Sequence, residues 1–303
     1  MDYRAWVRDP ANFPGKYGKL FMRFVAARQS LHNVTDATVV WYVSSWKAYR
    51  DHVAQATTER DLRQHLYDGI TAFGQRGVRP VTVNTATRCM QAFLNWLLEI
   101  EHIERPIKLP KLKVEERVLR VLSMEQIANL YHYVPKNMCQ RRIHAITVLL
   151  LDTGIRTAEM LNLSPREVDF KTRTLRVMGK GRKERVVPFS QLAGEVLFKY
   201  LAERKVDCDY VFATEQGRKL DKRNVLRNIK QIGRRCGIPA SAICLHRCRH
   251  SFATQYIAGG GQVVQLQKIL GHSEIETTMQ YVHPQMADTQ RDHARHSPIG
   301  NLR

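Results

Sequence analysis

Helical periodicity runs through most of this chain and limits what it can fold into. From Asp36 to Glu101 apolar residues recur at three- and four-residue intervals: Val39, Val40, Val43, Trp46 and Tyr49 come first, then a segment from Glu59 to Phe73 ends at Gly74 and Gly77. A third helix is expected from Val83 to Ile100, with Met90, Phe93, Leu94, Leu97 and Leu98 on one face and Pro80 and Thr82 just ahead of it. Three such segments make a small all-α domain. Residues 1–30 contain Pro10, Pro14 and Gly15 and read as an irregular N-terminal extension, which places the helical domain at 31–104.

Residues 105–120 hold two prolines, many cations and no sustained period, and read as a basic interdomain linker able to lie along a phosphate backbone. A second domain, 121–303, opens on Ser123-Met124-Glu125-Gln126, a capping-box pattern. An apolar helix from about Arg141 to Asp152 stops at Gly154, and a short one carries Glu159, Leu161 and Leu163. The pattern then turns strand-like at Thr174–Met178 and Glu184–Pro188, on either side of the basic turn Gly179-Lys180-Gly181-Arg182-Lys183, which predicts a hairpin. Helices resume at Leu192–Arg204, Asn224–Cys236, His250–Ile257, Val263–Leu270 and around Thr277. The expected fold is mainly α in two domains, all-α first and α+β second, with one small antiparallel sheet.

Composition narrows the partners. The 303 residues are 44% hydrophobic and 25% charged, ordinary for two domains with real cores. Lys and Arg number 48 against 28 Asp and Glu, a net charge of +20 that favours a polyanion, because neutralised phosphates release their condensed counterions. The longest apolar run, near Ala145 to Leu151, is far short of the roughly 20 residues that span a bilayer, and the N-terminus lacks an apolar signal core. A cytoplasmic, nucleoid-associated protein with no membrane partner is expected. Six scattered cysteines do not suggest a disulfide framework. Cys244 and Cys248 flank His246, but no second close pair completes a four-ligand zinc site.

Six polar residues stand out by type and order: Arg156, Lys180, His246, Arg249, His272 and Tyr281. Singly each has a bland reading: a helix cap, a solvated turn lysine, an exposed polar patch at i and i+3, a core tyrosine. Together they are the parts needed to break and remake a phosphodiester, and the basic chain around them points to DNA.

The surrounding text resembles the tyrosine recombinase (phage integrase) family. The matching segments are Thr153-Gly154-Ile155-Arg156-Thr157-Ala158-Glu159, Gly179-Lys180-Gly181-Arg182-Lys183-Glu184-Arg185, His246-Arg247-Cys248-Arg249-His250-Ser251, and Leu270-Gly271-His272-Ser273 leading to Thr277-Thr278-Met279-Gln280-Tyr281. The resemblance, which is to the Xer-like members, covers the whole second domain, and the helical first domain fits the family's SAM-like core-binding domain. It implies that Arg156 and Arg249 clamp the scissile phosphate with planar donor forks. It further implies that Tyr281 attacks to form a 3′-phosphotyrosine and Lys180 protonates the leaving 5′-oxygen. His246 would assist proton transfer from the tyrosine, and His272 would bond the phosphate or orient the nucleophile. Glu159 would support the arginine region from behind. Because the covalent link conserves the bond energy, resealing needs no ATP. Cationic side chains stand where a metal would, so neither metal nor cofactor is expected.

Arg182, Lys183 and Arg185 beside the proposed acid, and Lys222, Arg223, Arg227 and Lys230 on one helix, are candidate DNA contacts. The resemblance implies double-stranded DNA carrying specific recombination sites, a tetramer on paired sites, and a possible partner recombinase or accessory protein. The C-terminal tail, ending at Arg303, would pack on a neighbouring subunit. For the biological role, the expectation is an integrase or transposase-like recombinase of a mobile element, on the strength of the atypical first 30 residues. Xer-type resolution of chromosome or plasmid dimers is the alternative. A type IB topoisomerase and a non-catalytic DNA-binding accessory protein are the readings from other classes.

Overall fold

The prolines near the N-terminus start helices instead of preventing them. The computed structural model describes residues 3–114, 121–179 and 184–282, and the chain divides into two compact units, Met1–Arg117 and Val118–Arg303. In the first unit, α1 (Tyr3–Arg8) and a 3-10 turn at Pro10–Asn12 lead into α2 (Gly15–His32), α3 (Asp36–Val53), α4 (Glu59–Gln75) and α5 (Pro80–Glu99). Pro10 and Pro80 open their elements and Pro14 is the N-cap of α2, positions where a missing N–H costs nothing. The expectation of an irregular extension over residues 1–30 is therefore corrected. Tyr17, Leu20, Phe21, Phe24 and Val25 recur at helical spacing and are buried. Phe21 stacks on Trp46 with ring centroids 4.7 Å apart, so α2 belongs to the aromatic core of the unit. Thr35 caps α3, and Thr58 with Asp61 forms a complete capping box on α4.

The expected linker also differs from its reading. As far as Leu112 it is an extended strap on α5: Asn84 exchanges hydrogen bonds of 2.8 and 2.9 Å with the backbone of Leu112. Gln91 donates to the Ile107 carbonyl and accepts from the Leu109 N–H, each at 2.9 Å. Pro106 and Pro110 have no N–H to offer, and two amide side chains of α5 satisfy the residues between and beyond them. Residues 115–120 lie outside the described residues.

The second unit is built round α7 (Met138–Thr153), which packs against α9 (Gln191–Glu203), α10 (Lys222–Arg235) and α11 (Leu245–Ala258). Its residues 143–151 are all buried, the signature of a helix apolar on every side. Ahead of it, α6 (Met124–Tyr131) starts on the Ser123–Gln126 capping box, and the His144 ring of α7 bonds the carbonyls of Leu130 and Tyr131 at its end. The sheet is antiparallel in the order β1 (Val168–Asp169), β2 (Thr174–Met178), β3 (Glu184–Pro188), with Leu175 opposite Val187 and Met178 opposite Glu184. Leu175, Val177 and Val187 point into the core. Three short helices bear on the site: α8 (Thr157–Asn162), α12 (Val263–Leu270) and α13 (Glu276–Met279). Among the described residues no helix is long and apolar enough to cross a membrane.

Candidate active site

Two glycines let three helix ends meet. Gly154 closes α7 at φ +61°, and a Cβ there would lie 2.3 Å from Phe252 and 2.9 Å from Leu270. Gly271 closes α12 at φ +63°, where a Cβ would press on the Arg185 guanidinium at 3.0 Å. Both carbonyls accept from the arginines singled out by the sequence: Arg249 Nη1 donates to Gly154 at 2.7 Å and Arg156 Nη2 donates to Gly271 at 3.0 Å. The close approach that only glycine permits thus sets the distance between the two cations.

Arg156 stands at the start of α8, where Glu159 accepts from its backbone N–H at 2.8 Å and from Nη1 at 3.1 Å. Its side chain stays about one-third open, at 36%. It faces a groove of about 700 Å³ that His272 and Thr277 also line. Arg249 is 7% exposed on α11; burial, and after it the charge of Arg156, brings its pKa down to about 10, still fully protonated at neutral pH. Beyond Gly154 it donates to the Leu270 carbonyl at 2.8 Å and to His272 Nε2 at 2.9 Å. An arginine only donates, so Nε2 of His272 accepts, and Nδ1 carries the ring proton, donated to Thr278 Oγ1 at 2.9 Å. Burial and the three neighbouring arginines hold the His272 pKa at about 4, which keeps the ring neutral in this role. Thr278 in turn accepts the Tyr281 backbone N–H at 3.1 Å. Side-chain bonds therefore join Arg249 to His272 and Thr278, and the Thr278 carbonyl holds the backbone at Tyr281.

Residues 120–288 match the phage integrase family profile, more than half of the chain. The chain belongs to that family. Its members are enzymes that break and rejoin DNA strands. The chain is 30% identical over 252 residues to the tyrosine recombinase XerC of Lacticaseibacillus casei, covering 80% of this chain and 84% of the relative. It is 26% identical over 279 residues to the tyrosine recombinase XerD of Halalkalibacterium halodurans, covering 87% and 91%. In fold it is similar to the Tn1549 transposon integrase solved with transposon right end DNA, at a TM-score of 0.76 and 17% identity over 92% of this chain and 98% of that one.

Within this family member the sequence-expected residues divide into groups. Arg156, Glu159, Arg249, His272 and Tyr281 come together as described above. His246 stands one turn before Arg249 on α11, its pKa held below 6.5 by partial burial and by the charges of Lys222 and Arg249. Lys180, Arg182 and Lys183 lie outside the described residues. Lys222, Arg223 and Arg227 are exposed on α10 and Lys230 is half-buried; Val225, Ile229 and Ile232 of that helix face the core. No side-chain hydrogen bond or ion pair among the described residues engages those four cations.

Arg185 does not fit its expected role. Its side chain is 13% exposed, and all three nitrogens are committed: Nη1 and Nη2 to the two Glu159 oxygens at 2.8 Å each, and Nε to the Ile269 carbonyl at 2.9 Å. The structure thus gives this guanidinium a bidentate internal partner, Glu159, in place of the expected DNA contact. It holds Glu159, which holds Arg156. Burial would raise the Glu159 pKa, but the Arg185 bonds, the Arg156 N–H and the Arg156 guanidinium together keep it below 4.5. In β3 Arg185 shares a face with buried Val187, two residues on, and that alternation is the signal the sequence offers.

The second departure concerns Tyr281. It is 3% exposed, packed with Ala253, Leu266 and Leu270, and its hydroxyl meets Nδ1 of His250 at 2.8 Å. Burial raises its pKa above 10.0 while Arg249 lowers it. The partner expected from sequence is His246; the one in contact is the last histidine of the same motif, one helical turn later.

Proposed function

We propose that this chain is a site-specific DNA tyrosine recombinase. It cleaves and rejoins double-stranded DNA through a 3′-phosphotyrosine on Tyr281. Arg156 and Arg249 bind the non-bridging oxygens of the scissile phosphate, which become doubly anionic as the fifth bond forms, so the clamp holds the transition state more tightly than the ground state. Lys180 protonates the departing 5′-oxygen. Glu159 and Arg185 fix Arg156, and His272 couples Arg249 to the segment that carries the nucleophile. His246 borders the same site. The observation that supports this reading best is the hydrogen-bonded link from Arg249 through His272 and Thr278 to the backbone of Tyr281, which holds the segment bearing the phenol beside a phosphate clamp.

Membership of the family supports the assembly: two sites, two subunits on each, one strand pair exchanged before the other. For the biological role, the packed helices at the N-terminus remove the argument that favoured a mobile element. The XerC and XerD relatives support dimer resolution, and the likeness to a transposon integrase is one of fold. Recombination assayed between two plasmid-borne copies of a candidate site, chromosomal or from an element's end, separates the two roles.

The test of the reaction is a nicked, end-labelled duplex that traps the cleaved strand, incubated with the protein in EDTA. An adduct formed by the wild type and absent from Tyr281→Phe supports the reading. Specific binding with no adduct assigns the chain to accessory DNA binding, and an absolute Mg²⁺ requirement contradicts the cationic clamp.

A further inference from the structure

The recombinase reading leaves open which group takes the proton from Tyr281, and assigning that base rests on the same reading. Among the described residues one side-chain atom is in hydrogen-bond contact with the Tyr281 hydroxyl, and it is Nδ1 of His250 at 2.8 Å. The rings lie 5.7 Å apart between centroids at 47°, so the contact is made through the heteroatoms and not by stacking. His250 follows Arg249 on α11, and Arg249 itself bears electrostatically on Tyr281. The residue that clamps the phosphate and the one that touches the nucleophile are thus adjacent on one rigid helix.

We propose that His250 is the general base of strand cleavage, receiving the Tyr281 phenolic proton at Nδ1 while Nε2 keeps its own. In the forward step the Tyr281 Oη–P bond forms and the P–O5′ bond breaks. The phenolic proton moves to His250, leaving imidazolium, and the 5′-oxygen takes a proton from Lys180. In resealing, the 5′-hydroxyl returns its proton to Lys180 as the P–O5′ bond forms and the Oη–P bond breaks, and His250 gives its proton back to the phenolate. A base must lie within hydrogen-bond reach of the proton it removes, and the ring meets that condition. It is also held in its accepting, neutral form: burial first, then the charges of His246, Arg249 and Arg247 on the same helix, lower its pKa below 6.5. From the elements packed against it, Tyr281 faces Nδ1, and His272 and His250 bear on each other electrostatically.

The experiment is single-turnover adduct formation on the nicked duplex across pH, with a bridging 5′-sulfur in place of the scissile 5′-oxygen. A thiolate leaves without protonation, so the assay isolates the base from the acid. The wild type is expected to show a rate that falls as one group protonates on the acid side. His250→Ala is expected to slow cleavage about 100-fold or more, the lower range for general base catalysis, and to lose that acid limb. It should regain rate with added imidazole, which a merely structural residue would not. His250→Gln keeps an acceptor near Tyr281 but cannot take a proton, so it should bind DNA normally in a gel shift and still be slow; it serves if the alanine variant misfolds. His246→Ala should retain the acid limb. Any His250 variant cleaving at the wild-type rate, or loss of the limb in His246→Ala with its retention in His250→Ala, overturns the proposal. A wild type that forms no adduct at all refutes the recombinase reading instead.

Discussion

Replacing Arg185 with alanine separates a positioning role from a DNA contact. The substitution removes two bonds to Glu159 and one to the Ile269 carbonyl, and leaves a carboxylate that is 6% exposed with only Arg156 to balance it. Breaking a buried ion pair from one side costs about 3–5 kcal/mol; since Arg156 remains, about 3 kcal/mol is expected. With a urea m-value of about 2–3 kcal/mol/M, the midpoint of the second unit falls by about 1 M. All four tryptophans, Trp6, Trp41, Trp46 and Trp96, lie in the first unit. Far-UV circular dichroism should therefore report the loss, while tryptophan fluorescence holds its wild-type midpoint. Cleavage should drop about 100-fold, because a clamp displaced by about 1 Å loses that much, while DNA affinity and its salt dependence stay unchanged. The deficit in stability should narrow as pH falls, because without Arg185 to lower its pKa the buried Glu159 protonates more readily and sheds the charge left unbalanced. Pairing Arg185→Met with Glu159→Leu should restore stability but not cleavage. A stable Arg185→Ala protein whose salt slope shrinks by about one would overturn the positioning role, since that is the signature of a lost phosphate contact.

Other consequences arise from the same geometry. Gly154→Ala should destabilise the second unit by more than about 1 kcal/mol in urea melts and slow adduct formation, because its new Cβ meets Phe252 and disturbs the carbonyl that holds Arg249. Stability should be full above about pH 6.5 and decline as pH falls toward about 4: the folded His272 binds its proton only near 4, so below 6.5 the unfolded chain binds more. Urea midpoints of the wild type and His272→Gln at a neutral and a mildly acidic pH check this, the variant showing the weaker dependence. Lys222→Ala, Arg223→Ala and Arg227→Ala together should weaken DNA binding alike on all sequences and lower the salt slope by up to about three, measured by gel shift over a salt series.

How far the sequence can be read depends on whether the signal is local. Helices with a clear period, caps or a glycine stop are legible, and so is the hairpin, because β-rich runs flank a basic turn. Residues 1–30 mislead because proline reads first as a breaker, although Tyr17, Phe21 and Phe24 keep a helical period and Pro10 and Pro14 sit where proline starts a helix. The strap on α5 is not legible at all: Asn84 and Gln91 look like surface amides until the chain folds back on them. In the site, Arg156, Arg249, His272 and Tyr281 are readable from residue type, order and family resemblance. The partners of charges are not. Arg185 reads as one more cation in a basic run, and only its shared face with Val187 hints that it turns inward. His250 sits in the same motif as His246, but nothing in one dimension ranks it above that neighbour as the group that meets Tyr281.

The whole mechanism turns on Tyr281 carrying the cleaved strand by its 3′-phosphate. Protease digestion of the trapped adduct, followed by tandem mass spectrometry of the nucleotide-bearing peptide and end-group analysis of the released strand, reads that linkage directly. A nucleotide 3′-phosphate on Tyr281 and a free 5′-hydroxyl opposite it are expected; attachment to another residue, or through a 5′-phosphate, contradicts the mechanism.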